Sequence, residues 1–152
     1  MSFVIDVKFE GTRTIRRNAP AVFKKMQEIT PLFKENFPGI DQFYENKDGV
    51  YIWKFREFGF GGKKIGLELQ TRFTINPDLS ISTQSIPDSL HHITAHWKLV
   101  EKKGETDLSF SALLNFQIPL PILMRGMIAP LAEREIIKLF NQFLENVDAY
   151  LS

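Results

Sequence analysis

Five polar side chains interrupt otherwise apolar runs. Glu57 follows Phe55, Thr71 lies between Leu69 and Phe73, Thr83 and Ser85 follow Ile81, and His91 precedes Ile93. On a strand, residues two apart share a face, so each of these groups falls among apolar neighbours. Groups so placed fix the hydroxyl or carbonyl of a bound molecule. Two of them converging is the minimum for general acid–base catalysis. The alternative is structural: Thr71 and Thr83 pair across neighbouring strands, and Glu57 and His91 sit at solvated strand ends.

Other chemistries find little support. The three histidines all fall in "HHITAH". His92 and His96 would meet on a helix, but on a strand they stand about 13 Å apart, beyond the reach of one ion. With no cysteine in the chain, disulfides, thiolate zinc sites and thiol nucleophiles are excluded. No metal or other cofactor is expected. No Ser-His-Asp order or paired-carboxylate signature stands out. Glu133 and Glu135 flank Arg134 as a solvated helix face would. "RTIRR" and the lysines at 24 and 25 make a basic patch too small, and too poor in interleaved aromatics, for nucleic acid. Net charge is +1, so no long-range field of one sign steers a polyanion.

The elements that must position these groups follow from hydrophobic periodicity. Phe3, Ile5, Val7 and Phe9 alternate with Val4, Asp6 and Lys8 in a half-buried strand. Asn18 is an N-cap with Pro20 in the first turn of a helix, and Ala19, Val22, Phe23, Met26 and Ile29 follow at helical spacing. Pro31 breaks that pattern, and "PLFKENF" forms a second short helix stopped by "FPGI". From residue 40 to 118 the period is two. Six runs separated by "NKDG", "GFGG", "NPD", "PDSLHH" and "KGET" predict six strands joined by short turns, hence an antiparallel sheet of seven strands in all. In the last, Leu108, Phe110, Ala112, Leu114, Phe116 and Ile118 share one face. From Pro121 the period returns to 3.6, with Leu123, Met127, Leu131, Ile137, Phe140, Leu144, Val147 and Leu151 in one stripe. A helix of about 30 residues would be roughly 45 Å long and would cross the sheet. No repeat or linker divides the chain, so one domain over residues 1–152 is expected. Phe supplies 14 aromatic residues against 3 Tyr and 2 Trp, which suits a dry core or the wall of an apolar cavity.

"IPLPILMRGMIAP", residues 118–130, is the least polar stretch. A membrane span needs roughly 20 mostly apolar residues, and here Arg125 and three prolines intervene before "EREIIK". Pro119 and Pro121 end the last strand. Pro130 cannot donate to the carbonyl of Gly126, so a kink between Gly126 and Leu131 is expected, which would make the first two turns a lid; a plain bend following a curved sheet is the other reading. The N-terminal "MSFVIDVKFEG" is no secretory signal, and a cytoplasmic location is the expectation.

Strand, helix pair, six antiparallel strands and a long C-terminal helix are the order of the helix-grip fold. The segments "IRRNAPAVFKKMQEIT" and "LAEREIIKLFNQFLENVDAYL" resemble the START-like, or SRPBCC, superfamily. That superfamily includes polyketide cyclases, coenzyme-Q-binding proteins and birch-pollen-allergen-like proteins. The glycine-rich loop of the pollen-allergen-like members is not matched, since "ENKDGV" stands in its place. The resemblance implies an α+β fold in which a curved seven-stranded antiparallel sheet wraps a long C-terminal helix, with two short helices between strands 1 and 2. It also implies a deep pocket between sheet and helix holding an apolar ligand. The inward faces would supply Trp53, Phe55, Leu67, Leu69, Thr71, Phe73, Thr83, Trp97, Phe110, Leu114 and Phe116, and the helix Met127, Leu131 and Phe140. Burying about 300 Å² of apolar ligand surface yields about 7.5 kcal/mol gross, and losses on association reduce it to the micromolar range. Three functions follow as expectations. The leading one is binding or transport of a hydrophobic small molecule (lipid, isoprenoid or aromatic polyketide-like) that enters near residues 119–130, with transient membrane contact near Leu120–Met124. The others are a cyclase or dehydratase-type enzyme, and a ligand-free interaction module that exposes Phe58 and Phe60.

Overall fold

The structure is a computed structural model that describes residues 2–60 and 62–152; the side chains of Phe58 and Phe60 also lie outside the described part. Strand β1 (Phe3–Ile15) leads to helices α1 (Ala19–Met26) and α2 (Ile29–Lys34). Strands β2 (Ile40–Glu45) and β3 (Tyr51–Phe55), the small pair β4 (Phe58–Phe60) and β5 (Lys63–Ile65), and then β6 (Glu68–Asn76), β7 (Ser80–Ser85), β8 (His92–Lys102) and β9 (Glu105–Ile118) follow. A 3₁₀ turn at Ile122–Met124 precedes α3 (Arg125–Leu151).

Seven strands form one antiparallel sheet in the order β1-β9-β8-β7-β6-β3-β2. The first strand therefore pairs with the last, Phe3 opposite Ile118 and Phe9 opposite Ala112. The connection between β1 and β2 joins opposite edges of the sheet, and the helix pair makes that crossing. Asn18 caps α1 as its type predicts, accepting from the Ala21 N–H at 2.9 Å, while the Glu101 carboxylate on β8 accepts from the Ala19 N–H at 3.0 Å. Two orphan donors of the first turn are thereby satisfied.

Three boundaries differ from expectation, each for a local reason. β1 continues to Ile15 because its pairing with β9 extends to Thr106. α2 begins at Ile29, before Pro31; proline is tolerated in a first helical turn because its missing N–H would have no intrahelical partner there. The run 63–75 is not one strand. Lys63–Ile65 pairs with β4, and Glu68–Asn76 alone joins the main sheet.

The helix α3 lies against the inner face of the sheet and is unbroken over its 27 residues, Pro130 included, about 40 Å of helix. The lid expected from the first two turns is not a separate element; the change of helix type falls earlier, at Ile122–Met124. The buried stripe is Ile128, Ala132, Ile136, Phe140, Phe143, Leu144, Val147 and Leu151. Met127 and Leu131, expected inside, are 60% and 45% exposed, and Leu123 is 94% exposed. The first turns are apolar nearly all round, so several phases of the 3.6 period fit the sequence equally, and contact with the sheet selects the one that carries Ile128 and Ala132.

Candidate functional site

The hollow between sheet and α3 is mostly filled by rings. Phe9 stacks on Phe140 at 5.4 Å between centroids, Phe37 meets Phe143 at 4.5 Å, and Trp97 meets Phe110 at 4.3 Å. What remains free under the helix is a pocket of about 20 Å³ walled by Phe37, Trp53, Leu69, Ile93, Leu114 and Phe140. That is room for about one water molecule.

Toward one end the packing opens. A cavity of about 430 Å³ lies between the middle of α3 and the hairpin excursion that leaves β3 and returns to β6. Its walls are Gly39, Phe55, Arg56, Glu57, Gly59, Leu67, Glu135, Ile136 and Leu139. Phe55, Leu67, Ile136 and Leu139 line the small inner pocket as well, so the two spaces adjoin. The lining is chiefly apolar. Arg56 is drawn toward Asp41 at 3.5 Å, and its backbone N–H donates to the Gly39 carbonyl at 2.8 Å. Gly39 has φ +78°, a conformation that favours glycine, and its turn shapes the rim.

A second cavity, about 420 Å³, opens where the sheet is incomplete. The β6–β7 ladder runs to Thr71 opposite Ser85; the Ile86 N–H still donates to the Gln70 carbonyl at 2.9 Å, and the chain then turns, the Ser89 N–H donating to the Ile86 carbonyl at 3.1 Å. The walls here are Lys54, Phe55, Glu57, Gly66, Leu67, Glu68, Gln70, Ser89, Leu90 and His91. Phe55, Glu57 and Leu67 are common to both cavities. His91 is 5% exposed and its ring stands edge-on to Phe116 at 4.9 Å. The Gln117 N–H donates to His91 Nδ1 at 3.1 Å. Burial, and secondarily the neighbouring His92, push the His91 pKa below its ordinary value, with Glu68 acting against them.

The expected apolar site residues divide into three groups. Trp53, Phe55, Leu69 and Leu114 line the free space. Phe73, Trp97, Phe110 and Phe116 face inward but serve as packing: Phe73 stacks on Trp53 and Trp97 packs on Phe110. Met127 and Leu131 stand outside. The threonines do not pair with one another. Thr71 Oγ1 accepts from Trp53 Nε1 at 2.9 Å, whereas Thr83 Oγ1 and Trp97 Nε1 are buried with no protein partner among the described residues. Ser85 Oγ accepts from the Ile93 N–H at 2.8 Å. Of the five polar candidates, Glu57 and His91 alone line the second cavity. His92 is exposed on the opposite face, and His96 Nδ1 lies 3.2 Å from Ser82 Oγ. Among the described residues no three His, Asp or Glu side chains come together as a metal site would need.

The mouth near Gly39, Ile136 and Leu139 was not legible in the sequence, which pointed to residues 119–130. Ile136 and Leu139 do carry a signal in retrospect: with Phe140 they repeat at three and four residues, the spacing of one helix face.

No family model and no curated protein matches the sequence. Solved structures match in fold. The chain aligns with the Zhui aromatase/cyclase from Streptomyces sp. R1128 at a TM-score of 0.67 and 12% identity, covering 97% of this chain and 94% of that one. A STAR-related lipid transfer protein from Xanthomonas axonopodis gives 0.64 at 14% identity, with coverage of 95% and 85%. A START superfamily protein from Mycobacterium smegmatis gives 0.60 at 15% identity, with coverage of 95% and 99%.

Proposed function

From the START-like fold shared with those structures, we propose that the chain binds a hydrophobic small molecule in the cavity between the sheet and the middle of α3. The observation that carries this is the 430 Å³ space walled by Phe55, Leu67, Ile136 and Leu139 and adjoining the inner pocket. Its size is that of ordinary small-ligand sites. An aromatic or isoprenoid body seated there exchanges water for apolar wall, at about 25 cal/mol per Å². Access runs past Gly39 and Leu139, not beneath the first turns of α3. Lipid transfer and aromatase/cyclase activity are named for two of the structural neighbours, which supports the reading without choosing between them.

Native mass spectrometry after mild purification tests for a carried molecule. A direct test uses 2-ethylnaphthalene as probe, followed through tryptophan emission because Trp53 lines the inner pocket. We expect micromolar binding, weakened at least tenfold in Leu139→Trp, whose indole would occupy the mouth while circular dichroism stays unchanged. Equal binding by both proteins, or none by either, would remove the proposal.

A second reading, an enzyme of the cyclase or dehydratase type, is favoured by one observation: Glu57 and His91 both line the second cavity. It requires that the molecule carried be chemically altered on incubation with the wild type and not with His91→Phe. Membrane contact near Leu120–Met124 belongs to the first reading. It is supported by the exposure of Ile122 and Leu123 at 59% and 94%, and would serve delivery of an apolar cargo.

A further inference from the structure

We propose that the second cavity is the polar end of the same binding site, that His91 anchors a ligand there, and that the ligand is a neutral amphiphile with an oxygen acceptor at one end. The inference rests on the binding reading above and names the class of ligand.

The geometry begins with the tautomer. A backbone N–H can only donate, so the Gln117 N–H at 3.1 Å requires Nδ1 to be the lone-pair nitrogen. The neutral ring then carries its proton on Nε2. No described residue bonds to Nε2, although the ring is 5% exposed and lines the cavity. Nε2 is not among the sealed, unpartnered atoms of the core, so it is open to the cavity, and a ligand oxygen arriving there takes its hydrogen bond. The lowered pKa of the ring keeps it neutral, so it offers a hydrogen bond and no charge.

The other walls set the sign of the partner. Lys54 is held 3.7 Å from Glu68, and the Gln70 amide donates to Glu68 as well, at 3.5 Å. The Ser89 hydroxyl is spent on the His91 carbonyl at 2.6 Å. Among the described residues no cation pairs with Glu57, which lines both cavities. A carboxylate or phosphate head would meet the Glu57 carboxylate beside a Lys54–Glu68 pair whose charges offset one another, and that remaining negative charge opposes it. A ketone, ester or hydroxyl oxygen meets no such barrier. The apolar part of the molecule then passes Phe55 and Leu67, the shared wall, and lies between Ile136 and Leu139.

Three probes of one size separate the possibilities: 2-ethylnaphthalene, 2-acetylnaphthalene and 2-naphthoate. The wild type should bind the ketone about tenfold tighter than the hydrocarbon, and the carboxylate more weakly than the ketone. In His91→Phe the preference for the ketone over the hydrocarbon should vanish. Because that variant strands the Gln117 N–H, histidine side-chain ¹⁵N NMR on the wild type gives an independent answer. Saturating ketone should shift the His91 Nε2 resonance, and saturating hydrocarbon should not. Hydrocarbon and ketone binding equally, with Nε2 unmoved, overturns the anchor and leaves the binding reading intact. Tightest binding of the carboxylate overturns the neutral ligand class. Failure of all three to bind overturns both.

Discussion

Thr71 and Thr83 are chemically identical, share the inner face and differ by one hydrogen bond. The alternation of β6 and β7 told that both are buried, but it carried no information about partners, because the Trp53 indole reaches Thr71 from another strand. Their isosteric replacements should therefore have opposite signs. Thr71→Val strands the buried Trp53 N–H and should cost about 1–3 kcal/mol. Thr83→Val removes a buried hydroxyl with no protein partner and should stabilise by about 1 kcal/mol. Urea denaturation midpoints of the two variants check both. His91 gives a pH dependence. Its folded pKa is lowered from the ordinary 6.5, so between the lowered value and 6.5 the unfolded chain binds more protons than the native one. Stability is then complete above the ordinary value and is lost as pH falls through the folded one. Denaturation at pH 7.5 and 5.5 should show a steeper loss in the wild type than in His91→Phe.

Among the elements, the sheet was the most legible, since a period of two and short turns leave few alternatives. The inner faces of β1, β8 and β9 agree residue by residue with the alternation. The phase of α3 was not legible, because Met124, Met127, Ile128, Ala129 and Leu131 give a helix turn apolar on several sides. What seats α3 includes a position with no side chain at all. A Cβ on Gly11 of β1 would lie 2.5 Å from the end of the Leu144 side chain and 3.2 Å from the Phe9 ring. Leu144 is itself 3% exposed and cannot swing aside freely. Gly11→Ala should destabilise by about 1–3 kcal/mol through overpacking, measurable as a lower melting temperature. Of the small hairpin, β5 was read as the start of the third strand after the helices, and β4 as the end of the second strand and its turn. Its alternation is indistinguishable from that of a sheet strand, and its separation is a matter of pairing partner.

At the scale of the whole molecule, two apolar features lie on different sides of α3. The buried stripe closes the core, and the exposed one, Leu123, Met127 and Leu131, forms an outer ridge. No helix among the described residues is long and apolar enough to cross a membrane, so contact would be superficial. On the proposed reading, wild-type protein should co-sediment with phosphatidylcholine vesicles, and Leu123→Glu with Met127→Glu should abolish this. Binding of 2-ethylnaphthalene in solution should stay within twofold, because neither residue lines the cavity. Loss of both behaviours together would place the ridge in the binding site after all.

Order of elements, the faces of the strands, the cap at Asn18 and the abundance of phenylalanine inside were all decided by local pattern, because each depends on neighbours a few residues away. The location and size of the free space were decided only by tertiary structure. A cavity is the volume that packing leaves over, set by how Phe9, Phe37, Phe140 and Phe143 mesh and by where β6 stops pairing with β7. Such a remainder has no signature in any one segment, since every segment around it is equally apolar whether the space beside it is filled or empty.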